Sequence, residues 1–145
     1  MRAVLQRVAE ARVTVAGHPL AEIGPGLVVL LGVGKTDTET TCRQLAAKVA
    51  RLRIFEDPDG KMNRSLLDTA GSALVVSQFT LYANTSKGLR PSFTDVCEPA
   101  RAQELYERFV AELGYLGVKT RTGQFGARMK VALVNDGPVT IILEA

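Results

Sequence analysis

The sequence predicts an α/β fold of the α+β type: a mostly antiparallel, barrel-like β core with two main helices packed on it. Three features carry that prediction. The opening third alternates short apolar runs with tight-turn residues, two later segments place apolar residues at helical spacing, and the chain closes on two more apolar strand-like runs. No internal repeat, low-complexity segment or linker interrupts the pattern, so residues 1–145 are expected to form one domain.

Arg2 to Val8 and Arg12 to Ala16 read as two short strands, with Ala3, Leu5, Val13 and Val15 supplying core. Gly17-His18-Pro19 has the chemistry of a tight turn, which returns Leu20 to Ile23 as a third strand. Gly24-Pro25-Gly26 turns again, and Leu27 to Val33 is apolar almost throughout, as a strand buried on both faces would be. Gly34-Lys35-Thr36 then invites comparison with a phosphate-binding loop. That motif needs a glycine at the position of Val29, so the match fails. Thr36 and Glu39 instead have capping-box spacing for a helix whose apolar stripe is Cys42, Leu45, Ala46, Val49 and Leu52, ending near Arg53. Arg43, Lys48 and Arg51 fall off the stripe, on the solvated face.

Asp57-Pro58-Asp59-Gly60 reads as a turn, and Lys61 to Ala70 as irregular or briefly helical. Leu74 to Tyr82 reads as a strand. In it Ser77, Phe79 and Leu81 point one way and Gln78, Thr80 and Tyr82 the other. A face of amide, hydroxyl and phenol can line a pocket for a polar ligand or simply meet water at a sheet edge. Asn84 to Arg90 is a polar loop with Lys87 and Arg90 and no acid, and Pro91 keeps Arg90 extended. Pro99 suits the first turn of a second helix with Ala102, Leu105, Tyr106, Phe109, Val110 and Leu113 inward and Gly114 as its stop. Met129 to Val134 and Val139 to Leu143 are apolar strands joined by Asn135-Asp136-Gly137-Pro138. This is an ordinary hairpin turn or something more specialised. Proline cannot donate to a sheet, and tight turns are where cis X-Pro bonds concentrate.

Several chemistries are excluded. The one histidine, His18, sits between Gly17 and Pro19, a poor setting for a catalytic triad. No HExxH, CxxC or DxDxDG spacing offers a metal site, and no GxGxxG offers a dinucleotide site. Cys42 and Cys97 lack any paired spacing and are expected to be free thiols, Cys42 on the buried face of its helix. No apolar run reaches the length of a membrane span, and Met1-Arg2 leads straight into strand pattern, so no signal peptide is expected and the cytoplasm is the expected compartment. The formal charge of +3 favours an anionic partner only weakly. Lys119, Arg121, Arg128 and Lys130 fall in a stretch without a carboxylate and either contact phosphates or are merely solvated. Ser77 or Thr80 as nucleophile has no base beside it in sequence. Either a base comes from far along the chain, or the substrate supplies the reactive hydroxyl and the protein supplies positioning; the second route fits the residues better.

Taken together, Ser77-Gln78-Phe79-Thr80-Leu81 and Asn135-Asp136-Gly137-Pro138-Val139-Thr140 resemble the D-aminoacyl-tRNA deacylase family. The resemblance runs from Gln6-Arg7-Val8 through Arg53-Ile54-Phe55, Gly60-Lys61-Met62-Asn63 and Arg90-Pro91-Ser92-Phe93 to the last strand; Tyr82 stands at a position expected to vary. It implies an esterase, free of metal and other cofactors, that removes a D-amino acid or glycine from the terminal adenosine of mischarged tRNA and spares the L-aminoacyl form. It implies a cytoplasmic homodimer with the site at the subunit interface. On this chain Ser77, Gln78, Phe79 and Thr80 would line the catalytic site. Gly137 and Pro138, joined by a cis bond, would be a chirality gate reaching into the partner's pocket. Arg7 and Asn135 would support the gate, and the tRNA 2′-hydroxyl would assist the attack, with Thr80 as a covalent nucleophile the alternative.

Overall fold

A computed structural model describes residues 1–145. Its centre is β1, Arg2–Val15, which is one continuous strand rather than two short ones. Ala9-Glu10-Ala11 contains no glycine or proline to end it, and the break expected there is only a pair of register shifts against the last strand, between Gln6 and Val8 and between Val8 and Glu10. Shifting register exchanges the faces of a strand. Ala3 and Leu5 belong to one apolar core and Val8 alternates to the other, where the shift beyond Val8 also turns Ala11 and Val13.

A two-residue turn follows at Ala16 and Gly17, both at positive φ (49° and 80°), the geometry of a tight hairpin. His18 is therefore not in the turn, as its neighbours suggested, but opens β2, His18–Ile23, opposite Val15. Next come β3 (Gly26–Gly32), α1 (Glu39–Arg51), a small hairpin of β4 (Phe55–Glu56) and β5 (Met62–Arg64), and β6 (Ser72–Ser77). The last elements are α2 (Pro99–Tyr115), β7 (Lys119–Thr122) and β8 (Met129–Glu144). β5 falls where irregular or helical chain was expected. β1 pairs antiparallel with β2, β3 and β8, whereas β3–β6 and β6–β7 are parallel. Helices bridge those parallel crossovers, and the curled sheet is nearly a barrel with the helices packed on it. The α+β, mostly antiparallel, barrel-like expectation is borne out.

The two cores lie on opposite faces of this sheet. Leu27, Val29, Leu31, Ala73 and Val75 face the helices, with Leu45, Val49, Leu105 and Phe109. Val28, Leu74 and Val76 alternate to the other face and meet Val8, Val13 and Ile23, with Met129 and Leu133 against them. β8 crosses between cores as β1 does: Leu133 packs on one side, Val139 and Leu143 on the other.

The helix ends differ from expectation in informative ways. α1 is capped by Thr38, whose hydroxyl accepts from the Thr41 amide at 3.3 Å while Thr41 Oγ1 accepts from the Thr38 amide at 2.9 Å. Thr36 and Glu39 do not form the box, because Asp37 is held away from the helix by the Gly34 amide at 2.7 Å and by the Met1 amino group. α1 ends at Arg51, and α2 runs past Gly114; Gly117, at φ 96°, provides the left-handed position after it. Pro99 occupies the first helical turn, with the Glu98 carboxylate capping the Arg101 amide at 2.7 Å. No helix is long and apolar enough to cross a membrane.

α2 is tied to β6 by the buried Tyr106 hydroxyl, which donates to the Val75 carbonyl at 2.8 Å; burial pushes this phenol up to about 12 and keeps it protonated. Burial also pushes the Cys42 thiol up to about 11. Both acids are weaker folded than unfolded, so their stabilising contribution is complete below their ordinary values and is lost as pH rises through the folded ones. Urea denaturation is expected to show stability falling from about pH 9 towards pH 12. Tyr106→Phe is expected to cost about 0.5–1.5 kcal/mol at neutral pH by removing one of the two donors to the Val75 carbonyl, which keeps the Gly123 amide at 2.9 Å. An unchanged midpoint would show that this bond contributes nothing.

Candidate active site

β6 stops at Ser77 because its neighbour stops. The Gln78 amide still donates to the Leu31 carbonyl at 2.8 Å, but β3 ends at Gly32 and offers no further ladder. Phe79–Tyr82 therefore wind into a short 3-10 helix, with the Leu81 amide on the Gln78 carbonyl at 3.2 Å and the Ala83 amide on Thr80 at 3.0 Å. The strand expected to run to Tyr82 does not, and its alternation fails beyond Ser77. Gln78 and Thr80 still come together, through the turn: the Gln78 carboxamide and Thr80 hydroxyl share a short hydrogen bond. Tyr82 swings away beneath Arg2, 4.6 Å from its guanidinium.

Ser77, Gln78 and Phe79 form one wall of a cavity of about 660 Å³. Its other walls are the start of α2 at Pro99 and Ala102, the Phe125–Ala127 turn, and Met129 and Val131 at the start of β8. Phe79 and Phe93 meet edge to face at its mouth, with ring centroids 5.1 Å apart, and both remain exposed. Thr80 does not line the cavity; it stands exposed beside Gln78. Sequence reasoning about the site missed Val96, Cys97 and Phe125, which carry no polar signature and come from loops that only the fold brings to β6. The lining is mostly apolar, and Cys97 within it is a thiol pushed up by burial. No three His, Cys, Asp or Glu side chains cluster as metal ligands.

A second cluster forms around the Asn135 to Val139 segment. This segment is not a hairpin turn, since β8 pairs with β1 on both sides of it: Gln6 faces Thr140 and Val8 faces Asn135. Asp136 to Val139 bulge out opposite Arg7. The Asn135 side chain closes the bulge by accepting from the Val139 amide at 2.7 Å and donating to the Val139 carbonyl at 3.1 Å. Arg7, only 6% exposed, anchors it from below: Nε donates to the Asp136 carbonyl at 2.8 Å and a terminal nitrogen to the Ile54 carbonyl at 2.7 Å. Glu56 lies 3.7 Å from the same guanidinium. The Gly137–Pro138 bond is cis, both residues are exposed, and Gly137 has φ 150°. A Cβ there would stand 2.7 Å from the Val139 amide nitrogen and side chain.

One chain does not bring its two clusters together. Across the sheet, Ser77 aligns through Leu31 and Ala3 with Leu143. Pro138 stands five residues further along β8, out in the bulge, and is absent from the cavity wall.

Residues 4–144 match the family described as D-Tyr-tRNA(Tyr) deacylase. Proteins called D-aminoacyl-tRNA deacylase from Roseiflexus castenholzii and Cereibacter sphaeroides are 60% and 57% identical to the whole chain, which covers 92% and 100% of their lengths. A solved structure titled c-Myc DNA Unwinding Element Binding Protein superimposes with a TM-score of 0.96 at 40% identity, over 100% of this chain and 99% of that one. A probable eukaryotic D-amino acid tRNA deacylase shares the fold at a TM-score of 0.85 and 18% identity, over 98% of this chain and 97% of that one.

Arg7→Met keeps the apolar stem but strands two carbonyls, and is expected to destabilise the fold by about 2–4 kcal/mol in chemical denaturation. A loss below about 0.5 kcal/mol would show that the guanidinium does not anchor the bulge.

Proposed function

Since the chain belongs to the D-Tyr-tRNA(Tyr) deacylase family, we propose that it hydrolyses the ester joining a D-amino acid, or glycine, to the terminal adenosine of tRNA and spares L-aminoacyl-tRNA. The observation that carries this reading is the full-length match to that family and to its named relatives, with Ser77, Gln78 and Phe79 lining a mostly apolar cavity and Thr80 exposed beside Gln78. The cytoplasm is the proposed compartment, where charged tRNA is used; both cysteines being free accords with it.

The substrate supplies the activating hydroxyl in this proposal. The Thr80 hydroxyl meets the Gln78 carboxamide, and neither end of a carboxamide takes up a proton at neutral pH. A hydroxyl in such company is a weak nucleophile. The ribose 2′-hydroxyl beside the ester then assists water, while Gln78, Thr80 and the adjoining backbone hold the acyl group in line.

Chirality is read by exclusion. D and L esters carry the same groups in mirrored order, so discrimination needs a rigid wall at the α-carbon. The Gly137–Pro138 tip, exposed above a base fixed by Arg7, Asn135 and the buried Val139, suits such a wall. Glycine passes because it has no side chain to exclude. Because the tip is far from its own chain's cavity, the proposed active form is a homodimer in which each tip enters the other subunit's pocket. The free edge of β8, with Val134 and Ile142 exposed along it, gives a second copy a surface to meet.

A second reading, a nucleic-acid-binding module without catalysis, draws on the solved relative whose title describes DNA binding. It also draws on Lys119, Arg121, Arg128 and Lys130, all exposed and none in an ion pair. Deacylation of D- and L-tyrosyl-tRNA at two salt concentrations separates the readings. The deacylase is expected to favour the D ester by about a hundredfold or more. Thr80→Ala is expected to keep hydrolysis within about tenfold, whereas background activity would make Thr80 the nucleophile. Gly137→Ala is expected to lower the D-over-L ratio, and an unchanged ratio would remove the gate. Salt-sensitive binding with no hydrolysis would establish the module instead.

A further inference from the structure

The turn that carries Gln78 and Thr80 is held from behind by residues outside the cavity. Arg2, at the start of β1, donates to the Leu81 carbonyl at 3.1 Å, pairs through Nε with Glu144 at 2.9 Å, and covers the Tyr82 ring. The Tyr82 hydroxyl reaches Asp37 at 3.4 Å, and the same carboxylate is already fixed by the Gly34 amide and the Met1 amino group. Burial pushes the Tyr82 phenol up to about 12, so it remains a neutral donor. The floor beneath is bare backbone. A Cβ on Gly32 would stand 3.1 Å from the Gln78 carbonyl oxygen and 3.2 Å from the Tyr82 ring; one on Gly34 would stand 2.7 Å from the Tyr82 hydroxyl. Gly32 and Gly34, the second of which opened the failed phosphate-loop match at Gly34-Lys35-Thr36, form a recess fitted to this turn.

We propose that Arg2 and Tyr82 are positioning residues for deacylation: seated over Gly32 and Gly34, they fix the Phe79–Tyr82 turn so that Gln78 and Thr80 meet the ester at one distance. The inference rests on the reading that this turn faces the ester. Neither Arg2 nor Tyr82 lines the cavity, so each acts through the turn and not on the substrate. Catalysis by placement is sensitive to small displacements: about 1 Å can cost on the order of a hundredfold in rate. Arginine suits the task because its planar guanidinium stacks on an aromatic face while its edge still donates to a carbonyl; a lysine ammonium does not do both.

The test measures kcat and KM for D-tyrosyl-tRNA, with melting temperature, for Tyr82→Phe, Tyr82→Leu, Arg2→Lys, Arg2→Ala and Gly34→Ala. Tyr82→Leu, Arg2→Ala and Gly34→Ala are expected to lower kcat about tenfold or more at temperatures where they are fully folded, with KM within about twofold. Tyr82→Phe, which keeps the ring under Arg2, is expected to recover most of kcat, and Arg2→Lys only a part. Gly34→Ala combined with Tyr82→Leu is expected to be no slower than Tyr82→Leu alone, because the two act on one contact. Rates that fall only in proportion to the unfolded fraction, a loss confined to KM, or kcat within twofold of the parent in all variants would overturn the proposal. A parent protein that hydrolyses no D-tyrosyl-tRNA would instead remove the functional reading beneath it.

Discussion

The buried Arg7 guanidinium governs the shape of this molecule around its last strand. Arg7 points from the central strand into a place almost without solvent, where a guanidinium is tolerable only if its donors are met. They are met by two backbone carbonyls, from Ile54 on one side and Asp136 on the other, with the Glu56 carboxylate 3.7 Å away. For Asp136 to offer its carbonyl, β8 must leave its ladder, and it does so for the residues between Asn135 and Thr140. The bulge therefore answers a charge that the opposite strand buries. Asn135 then pairs with both polar groups of Val139, replacing the ladder bonds that the excursion removes.

That constraint divides the chemistry of the chain. The bulge fixes one exposed tip, and the end of β3 fixes the other feature by forcing β6 into a turn after Ser77. The two lie in different rows of one curled sheet, too far apart to act on one ester within a chain. In the proposed dimer this separation becomes useful. Each subunit offers a cavity with a placed turn and a rigid tip for its neighbour, so a monomer holds both halves without a complete site. The positioning contacts behind the turn add a second requirement, since a pocket without an activating base depends on where its groups stand.

Much of this was legible in residues. The buried run of β3, the apolar stripes of both helices and the burial of Cys42 follow from periodicity, and the fold class follows from them. The motif-level resemblance placed the chain in its family, which the full-length relatives bear out. What was not legible depended on partners distant in sequence. Phe79 to Tyr82 carries strand-forming residues, and only the termination of β3 at Gly32 makes it helical. β1 was read as two strands, Arg2 to Val8 and Arg12 to Ala16, yet a register shift beyond Val8 changes the face of one strand without a turn. The capping box moved from Thr36 to Thr38 because Asp37 was recruited elsewhere. Tyr82, read as sharing a strand face with Gln78 and Thr80, is instead packed against Arg2 and Asp37.

In the proposed homodimer the pocket and the tip that completes it come from different subunits. A crystal structure of the protein with a non-hydrolysable D-aminoacyl-adenosine analogue tests it most directly. The expected result places the analogue against Ser77 to Thr80 of one protomer, with the Gly137–Pro138 segment of its partner at the α-carbon. An analogue bound with no second chain beside it, or away from Gly137 and Pro138 altogether, would contradict the account.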